Sequence, residues 1–246
     1  MIKFEHKFIM AKLIANLFKS KKNNSILMFH SILNDSNTNS DFYSFGENQF
    51  FNLINFIKND LKYKICSLTD SVRYKNSISI TFDDGRVDNY FHAFPIIKRL
   101  NIPATIFIIS DKVDNSDGHL TTDQIIEMSN SDLIDFQIHG KSHKPFTKLS
   151  KNELINEINS CKNTIEKITN KKASQISLPH GQYNKSVIDL INDLDISLIC
   201  NSVNSTFNLN NNFNDKLYPR INVWNLDDIM TINQKLSGKW DIFKNL

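Results

Sequence analysis

Short apolar runs alternate with amphipathic helical patterns along nearly the whole chain, and this alternation constrains the fold more than any single motif. Strands are expected over 26–30, 65–68, 77–82, 104–109, 133–138, 176–178, 196–200 and 218–223. Helical spacing fills the intervals over 48–59, 88–100, 122–128, 150–168, 184–193 and 226–236, with Pro95 either starting or kinking the second of these. The clearest helix opens on a capping box, Ser150 with Glu153, and carries Leu154, Ile158, Cys161, Ile165 and Ile168 at steps of four and three. Repeated strand–helix units mean a parallel sheet of the α/β class. The 246 residues suit one such domain, read as 25–246, after an N-terminal helical segment, 1–24. Asn- and Ser-rich stretches, 31–41 and 201–215, read as loops. In such sheets functional residues gather at the carboxyl ends of the strands. His30, Asp83, Asp84, His139, His180 and Arg220 all fall there.

The strand Ser77–Phe82 alternates polar and apolar residues, as if one face were buried, and runs into Asp83, Asp84 and Gly85. Neighbouring side chains on an extended backbone point to opposite sides. The two carboxylates can therefore share a site yet face different partners, one a metal and the other a proton. Taken alone, Asp-Asp-Gly is also an ordinary polar turn. His139 and His143, four residues apart after another expected strand, share a face if the segment is helical or tightly turned. With Asp84 they make a two-histidine, one-carboxylate set suited to Zn²⁺ or another divalent first-row metal. Leu178-Pro179-His180-Gly181 is a further strand end, whose turn could aim backbone N–H groups at an oxyanion.

A formal net charge of +3, with 22% charged residues, gives no argument for a nucleic-acid partner. Cys66, Cys161 and Cys200 lie far apart in apolar segments and read as reduced core thiols. His6, His92 and His119 lack partners at ligand spacing, and Trp224 and Trp240 read as packing aromatics, with sugar stacking the lesser alternative. The N-terminal helix places Phe4, Phe8, Ile9, Leu13, Leu17 and Phe18 roughly on one side, among several lysines. Packing on its own domain is the first expectation, and peripheral attachment to an anionic membrane is the second. The segment lacks the layout of a signal peptide, so a cytoplasmic location is expected, at the inner membrane face if the helix attaches there.

These motifs together resemble the polysaccharide deacetylase family, the NodB-homology group also called carbohydrate esterase family 4. SITFDDG is similar to its first motif, and HGKSH to its H-[ST]-x-x-H motif with Gly140 at the usual Ser/Thr position. SLPHGQYN is similar to its third motif, and ILMFHSI to the Tyr-His strand found early in many members. The likeness runs in order from about residue 26 to 236. It implies a distorted (β/α) barrel of about seven strands and metal-dependent removal of an acetyl group from a sugar. It also implies Asp84, His139 and His143 as metal ligands, with Zn²⁺ the first choice, and Asp83 as general base. The backbone N–H of His180 would help hold the oxyanion, and Gly181, Tyr183 and Arg220 would stand on the substrate side.

Three departures matter. Ser177 stands where the third motif often has an Arg that orients the base, and His180 stands where Tyr is usual. No histidine follows His180, so the late Leu-x-His motif that supplies the general acid is missing. His30 is the first candidate for that acid and His180 the second, while Arg220 could restrain Asp83 in place of the missing Arg. The substrate is expected to be an N-acetylated sugar of a surface glycan or its lipid-linked precursor. The alternatives are deformylation of an N-formyl amino sugar, or a degenerate member that binds glycan or protein without turnover. A phosphatase of the haloacid dehalogenase type is disfavoured, because its two aspartates are separated by one residue and these are adjacent.

Overall fold

The computed structural model describes residues 2–36, 42–211, 213 and 216–244, with the side chains of residues 2 and 3 left aside. Parts of both expected loops, 37–41 and 212, 214 and 215, lie outside the described residues. Seven parallel strands close on themselves: β1 (Ser25–Phe29), β5 (Ser77–Phe82), β6 (Ala104–Ile108), β7 (Ile134–Ile138), β8 (Gln175–Ser177), β9 (Leu198–Asn204) and β10 (Leu217–Asn222). Closure is made by β1, which pairs with β10 on one side and with β5 on the other, Phe29 opposite Phe82. The short β4 (Lys64–Ile65) adds to the start of β5 outside the ring. The α/β barrel of about seven strands is therefore what the chain forms.

Helices cover the barrel: α1 (Ile2–Ala15), α2 (Glu47–Asn55), α3 (Leu68–Ser71), α4 (Phe94–Leu100), α5 (Thr122–Ser129), α6 (Lys151–Thr169), α7 (Lys185–Asn192) and α8 (Ile229–Leu236). The Ser150–Glu153 capping box forms as read, and Leu154, Ile158, Cys161 and Ile165 are buried beneath α6. Pro95 lies in the first turn of α4, where its missing N–H costs no helical bond, and a π-turn over Asn89–Ala93 leads into it.

Four expectations need correcting. The β5 alternation is real, but every one of its residues is buried. Ile78, Ile80 and Phe82 join the main core, while Thr81 on the other face accepts from Arg220 of β10 at 3.3 Å. Barrel closure buries both faces of a strand, so the polar set serves the interior rather than solvent. Asn201–Asn204, read as loop, continues β9. Ser31–Leu33, read as loop, pairs in parallel with Ser44–Gly46, a stretch given no reading, as β2 and β3. Finally, the apolar residues of α1 do not share one side. Phe4 and Phe8, with Ala11 and Ala15, pack on Trp224 and Trp240, whereas Ile9, Leu13, Leu17 and Phe18 are exposed. All three cysteines are free and buried.

Candidate metal centre and active site

The site stands at the carboxyl ends of β1, β5, β7, β8 and β10. Asp83 is anchored by its N–H, which donates to the Phe29 carbonyl at 2.9 Å and continues the β1–β5 ladder one step past the strand. Asp84 then enters the left-handed region, at φ 72°, followed by Gly85 at φ 66°. A side chain at Gly85 would meet the Ile108 Cγ2 at 2.8 Å, so only glycine fits this turn. The two carboxylates diverge because of this turn and not, as expected, by alternation along an extended strand. His143 and His180 are also left-handed, at φ 65° and 57°. Such backbone costs of order 1–3 kcal/mol per residue and collects where surrounding structure fixes a functional side chain.

Asp84, His139 and His143 converge, with their ligand atoms all within 4.8 Å of one another. The Asp84 Oδ1 lies 3.5 Å from the Nε2 of each imidazole. Two ligands on one tetrahedral zinc at about 2.0–2.2 Å sit roughly 3.3–3.5 Å apart. That same Oδ1 is buried and has no hydrogen-bond partner among the described residues. An orphaned carboxylate oxygen facing two imidazole nitrogens fits a divalent cation. The tautomer fits as well: the His139 Nδ1–H donates to the Ser177 carbonyl at 2.9 Å, leaving the Nε2 lone pair toward Asp84. Burial alone would raise the Asp84 carboxyl, but the neighbouring imidazoles, His139 first, hold it well below the usual range. Burial pulls His143 down to about 4, helped by His139, so its ring is neutral and able to ligate near neutral pH.

Asp83 is held differently. Arg220 forms a two-pronged ion pair with it, Nη1 to Oδ1 and Nη2 to Oδ2, both at 2.7 Å. Arg220 is fully buried and also donates to the Asn201 carbonyl, the Ser177 hydroxyl and Thr81, so its five N–H bonds point inward. It stands behind the aspartate rather than in the cavity. The Ser177 hydroxyl in turn donates to the Asp83 Oδ2 at 3.0 Å. Burial would raise Asp83, but Arg220 outweighs it and, with His139 and His30, brings the carboxyl to about 2.

A cavity of about 460 Å³ opens in front of this cluster, lined by Asp83, Asp84, His139, His143, His30 and His180 together with an aromatic wall. His30 follows β1, with its carbonyl held by the Asn89 side-chain amide at 2.8 Å and its ring 4.7 Å from that of Tyr43. Its Nδ1 is buried without a hydrogen-bond partner among the described residues, and burial lowers its pKa. The His180 ring lies 4.4 Å from the His143 ring and donates from Nε2 to the His143 carbonyl at 3.2 Å. Gly181 and Tyr183 are not among the lining residues, and Tyr183 is 40% exposed.

Several contributors escape sequence reasoning. Glu157, buried on α6, accepts from the Ser142 N–H at 2.8 Å and from the Ser142 hydroxyl at 2.6 Å, which ties down the loop between the two histidines. A side chain at Gly140 would crowd the Glu157 carboxylate at 3.2 Å and Phe146 at 3.3 Å, on a backbone at φ 83°. The cavity wall is Phe4, Phe42, Tyr43 and Trp224, with Phe4 edge-on to both Phe42 and Trp224. Trp224 is fixed from behind, where its backbone N–H donates to Asp227, which pairs with the buried Lys235 at 2.6 Å. Glu157 and Phe4 carry no local signal.

Comparison with known proteins places this arrangement. The chain is 28% identical over 188 residues to the poly-beta-1,6-N-acetyl-D-glucosamine N-deacetylase of Staphylococcus aureus, covering 69% of this chain and 63% of that one. It is 32% identical over 111 residues to YxkH of Bacillus subtilis, 45% of this chain and 39% of that one. The chain thus spans less than two thirds of the length of these curated relatives. Among solved structures, the Streptococcus pyogenes deacetylase PplD superposes with a TM-score of 0.76 at 22% identity, covering 89% of this chain and 99% of that one. The Bacillus cereus polysaccharide deacetylase BC0361 also gives 0.76, at 21% identity, over 86% of this chain and 68% of that one. The family profile described as polysaccharide deacetylase matches residues 71–199, just over half of the chain. With TFDDG, the spaced histidines and the seven-stranded barrel in place, the chain belongs to the polysaccharide deacetylase family.

Proposed function

We propose that this protein is a divalent-metal-dependent hydrolase that removes an acetyl group from an N-acetylated sugar of a surface glycan or its lipid-linked precursor. One observation carries the proposal: a buried, unpaired Asp84 oxygen faces two imidazoles, beside a second carboxylate that a buried arginine holds ionised. Asp84, His139 and His143 hold the cation, with Zn²⁺ favoured by the nitrogen-rich donor set. When bound, such a cation polarises an acyl oxygen and acidifies water.

Asp83 accepts the proton of the attacking water. Its ion pair with Arg220 fixes its orientation and keeps it unprotonated, as a general base must be. The backbone N–H of His180, at the cavity wall, is the donor assigned to the developing oxyanion. His30 is assigned the proton for the departing amine nitrogen: it lines the same cavity, and because burial lowers its pKa it starts neutral and must first take up the proton that Asp83 removes from water. The aromatic wall excludes water from one side and offers an apolar face to a sugar ring. Replacing His30 by Ala is expected to lower turnover about 10²-fold or more with metal content unchanged. Near wild-type turnover in that variant would remove His30 from the mechanism and turn attention to His180.

The test of the whole proposal is metal analysis combined with acetate release from N-acetylated sugars, free and lipid-linked. Wild type should bind about one equivalent of metal per chain and release acetate, and Asp84→Ala should lose both. Bound metal without acetate release from any substrate would point instead to a glycan-binding protein.

A further inference from the structure

The helix α1 is apolar on two opposite sides. At 3.6 residues per turn, Phe4, Phe8, Ala11 and Ala15 fall on one stripe, and that stripe is packed against Trp224 and Trp240. Ile9, Met10 and Leu13 face the opposite way and are 54%, 55% and 62% exposed. Leu17, just past the helix, is 83% exposed, with Phe18 exposed beside it. The neighbouring α8 is tied to α1 by Lys12 to Asp228 at 2.7 Å, and its first turn adds exposed Ile229 and Met230. Isolated exposed apolar residues need no explanation, but a row of them opposite a helix's packed side does.

The charge around this face says what covers it. Residues 1–24 hold six lysines against one glutamate, +5 in a chain whose formal net charge is +3, so residues 25–246 are net −2. Lys7, Lys19, Lys21 and Lys22, on and just after the helix, are exposed, while Lys12 is paired with Asp228. A second copy of the chain docking here about a two-fold axis would bring lysine-rich rims against each other. An anionic bilayer surface would neutralise them while taking up the apolar side chains. No described helix is long and apolar enough to cross a membrane, so the attachment is superficial.

We infer that α1 docks the protein on an anionic phospholipid surface, with Ile9, Met10, Leu13 and Leu17 in the headgroup region. Phe4, on the opposite side of the same helix from Ile9, lines the cavity, so α1 lies between the docked face and the cavity's aromatic wall. The inference does not depend on the catalytic assignment.

Flotation of the full chain with vesicles separates the outcomes. Binding is expected to phosphatidylcholine vesicles containing phosphatidylglycerol, and to be weaker with phosphatidylcholine alone or in high salt. The double variant Ile9→Asn/Leu13→Asn should bind at least about tenfold less, with an unchanged unfolding midpoint and unchanged acetate release from a soluble substrate. Equal binding by wild type and variant would overturn the inference. So would a concentration-dependent dimer, abolished by the same variant, in the absence of vesicle binding. Loss of acetate release with vesicle binding retained would count against the catalytic proposal alone.

Discussion

Asp83→Asn is expected to lower turnover by about 10²–10⁴-fold while leaving bound metal at the wild-type level. The amide keeps the shape of the carboxylate but cannot take a proton from water. Asp84, His139 and His143 are untouched, so metal content should hold, and the split between the two readouts assigns Asp83 to the proton. Its carboxylate is nearer to the base's role than to a ligand's: the Oδ2 is 3.9 Å from the His139 Nε2, against 3.5 Å for Asp84. Kinetics alongside metal analysis check this. A proportional loss of metal and activity would make Asp83 a ligand, and full activity would remove it from the chemistry.

Arg220→Met carries the largest expected effect on stability. It leaves the Asp83 carboxylate buried without its partner, and breaking a buried pair in this way costs about 3–5 kcal/mol. The pH dependence follows from the same pair. In the wild type Asp83 titrates at about 2, below its ordinary value of 3.8, so its contribution is present above about pH 4 and is lost as the pH falls toward 2. In the variant burial acts unopposed by the guanidinium, the Asp83 pKa rises, and protonation relieves the lone charge. The gap between wild type and variant in urea unfolding should therefore narrow from pH 7 to pH 4. Adding Asp83→Asn to Arg220→Met should recover part of the loss, because neither charge is then left alone. A pH-independent gap, or additive losses in the double variant, would mean that the pair does not carry the effect.

The barrel was legible because its signal is local and repeated. Period-two runs and capped amphipathic helices each report their own segment, and α6 with its Ser150–Glu153 cap forms within a residue of expectation. The candidate metal site was legible because His139, His143 and Asp84 sit just past strands, and strand ends converge in a closed parallel barrel. What local pattern could not carry is anything decided across the barrel. Glu157 reaches the histidine loop from the next helix, and Phe4 reaches the cavity wall from the start of the chain. The α1 residues show a subtler limit: two apolar stripes on opposite sides of one helix read as a single broad face when only spacing is counted. Asp84 failed differently, because a left-handed residue that is not glycine leaves no compositional trace.

Ser177 began as a defect, the serine where an arginine was wanted. Its hydroxyl and carbonyl in fact hold Asp83 and His139, and the guanidinium arrives from β10 instead of β8. Arginine at both positions would crowd two cations against one carboxylate, and arginine at neither would leave that carboxylate buried and bare. Positions 177 and 220 are therefore coupled: Ser177→Arg should be tolerated only when residue 220 gives up its own charge.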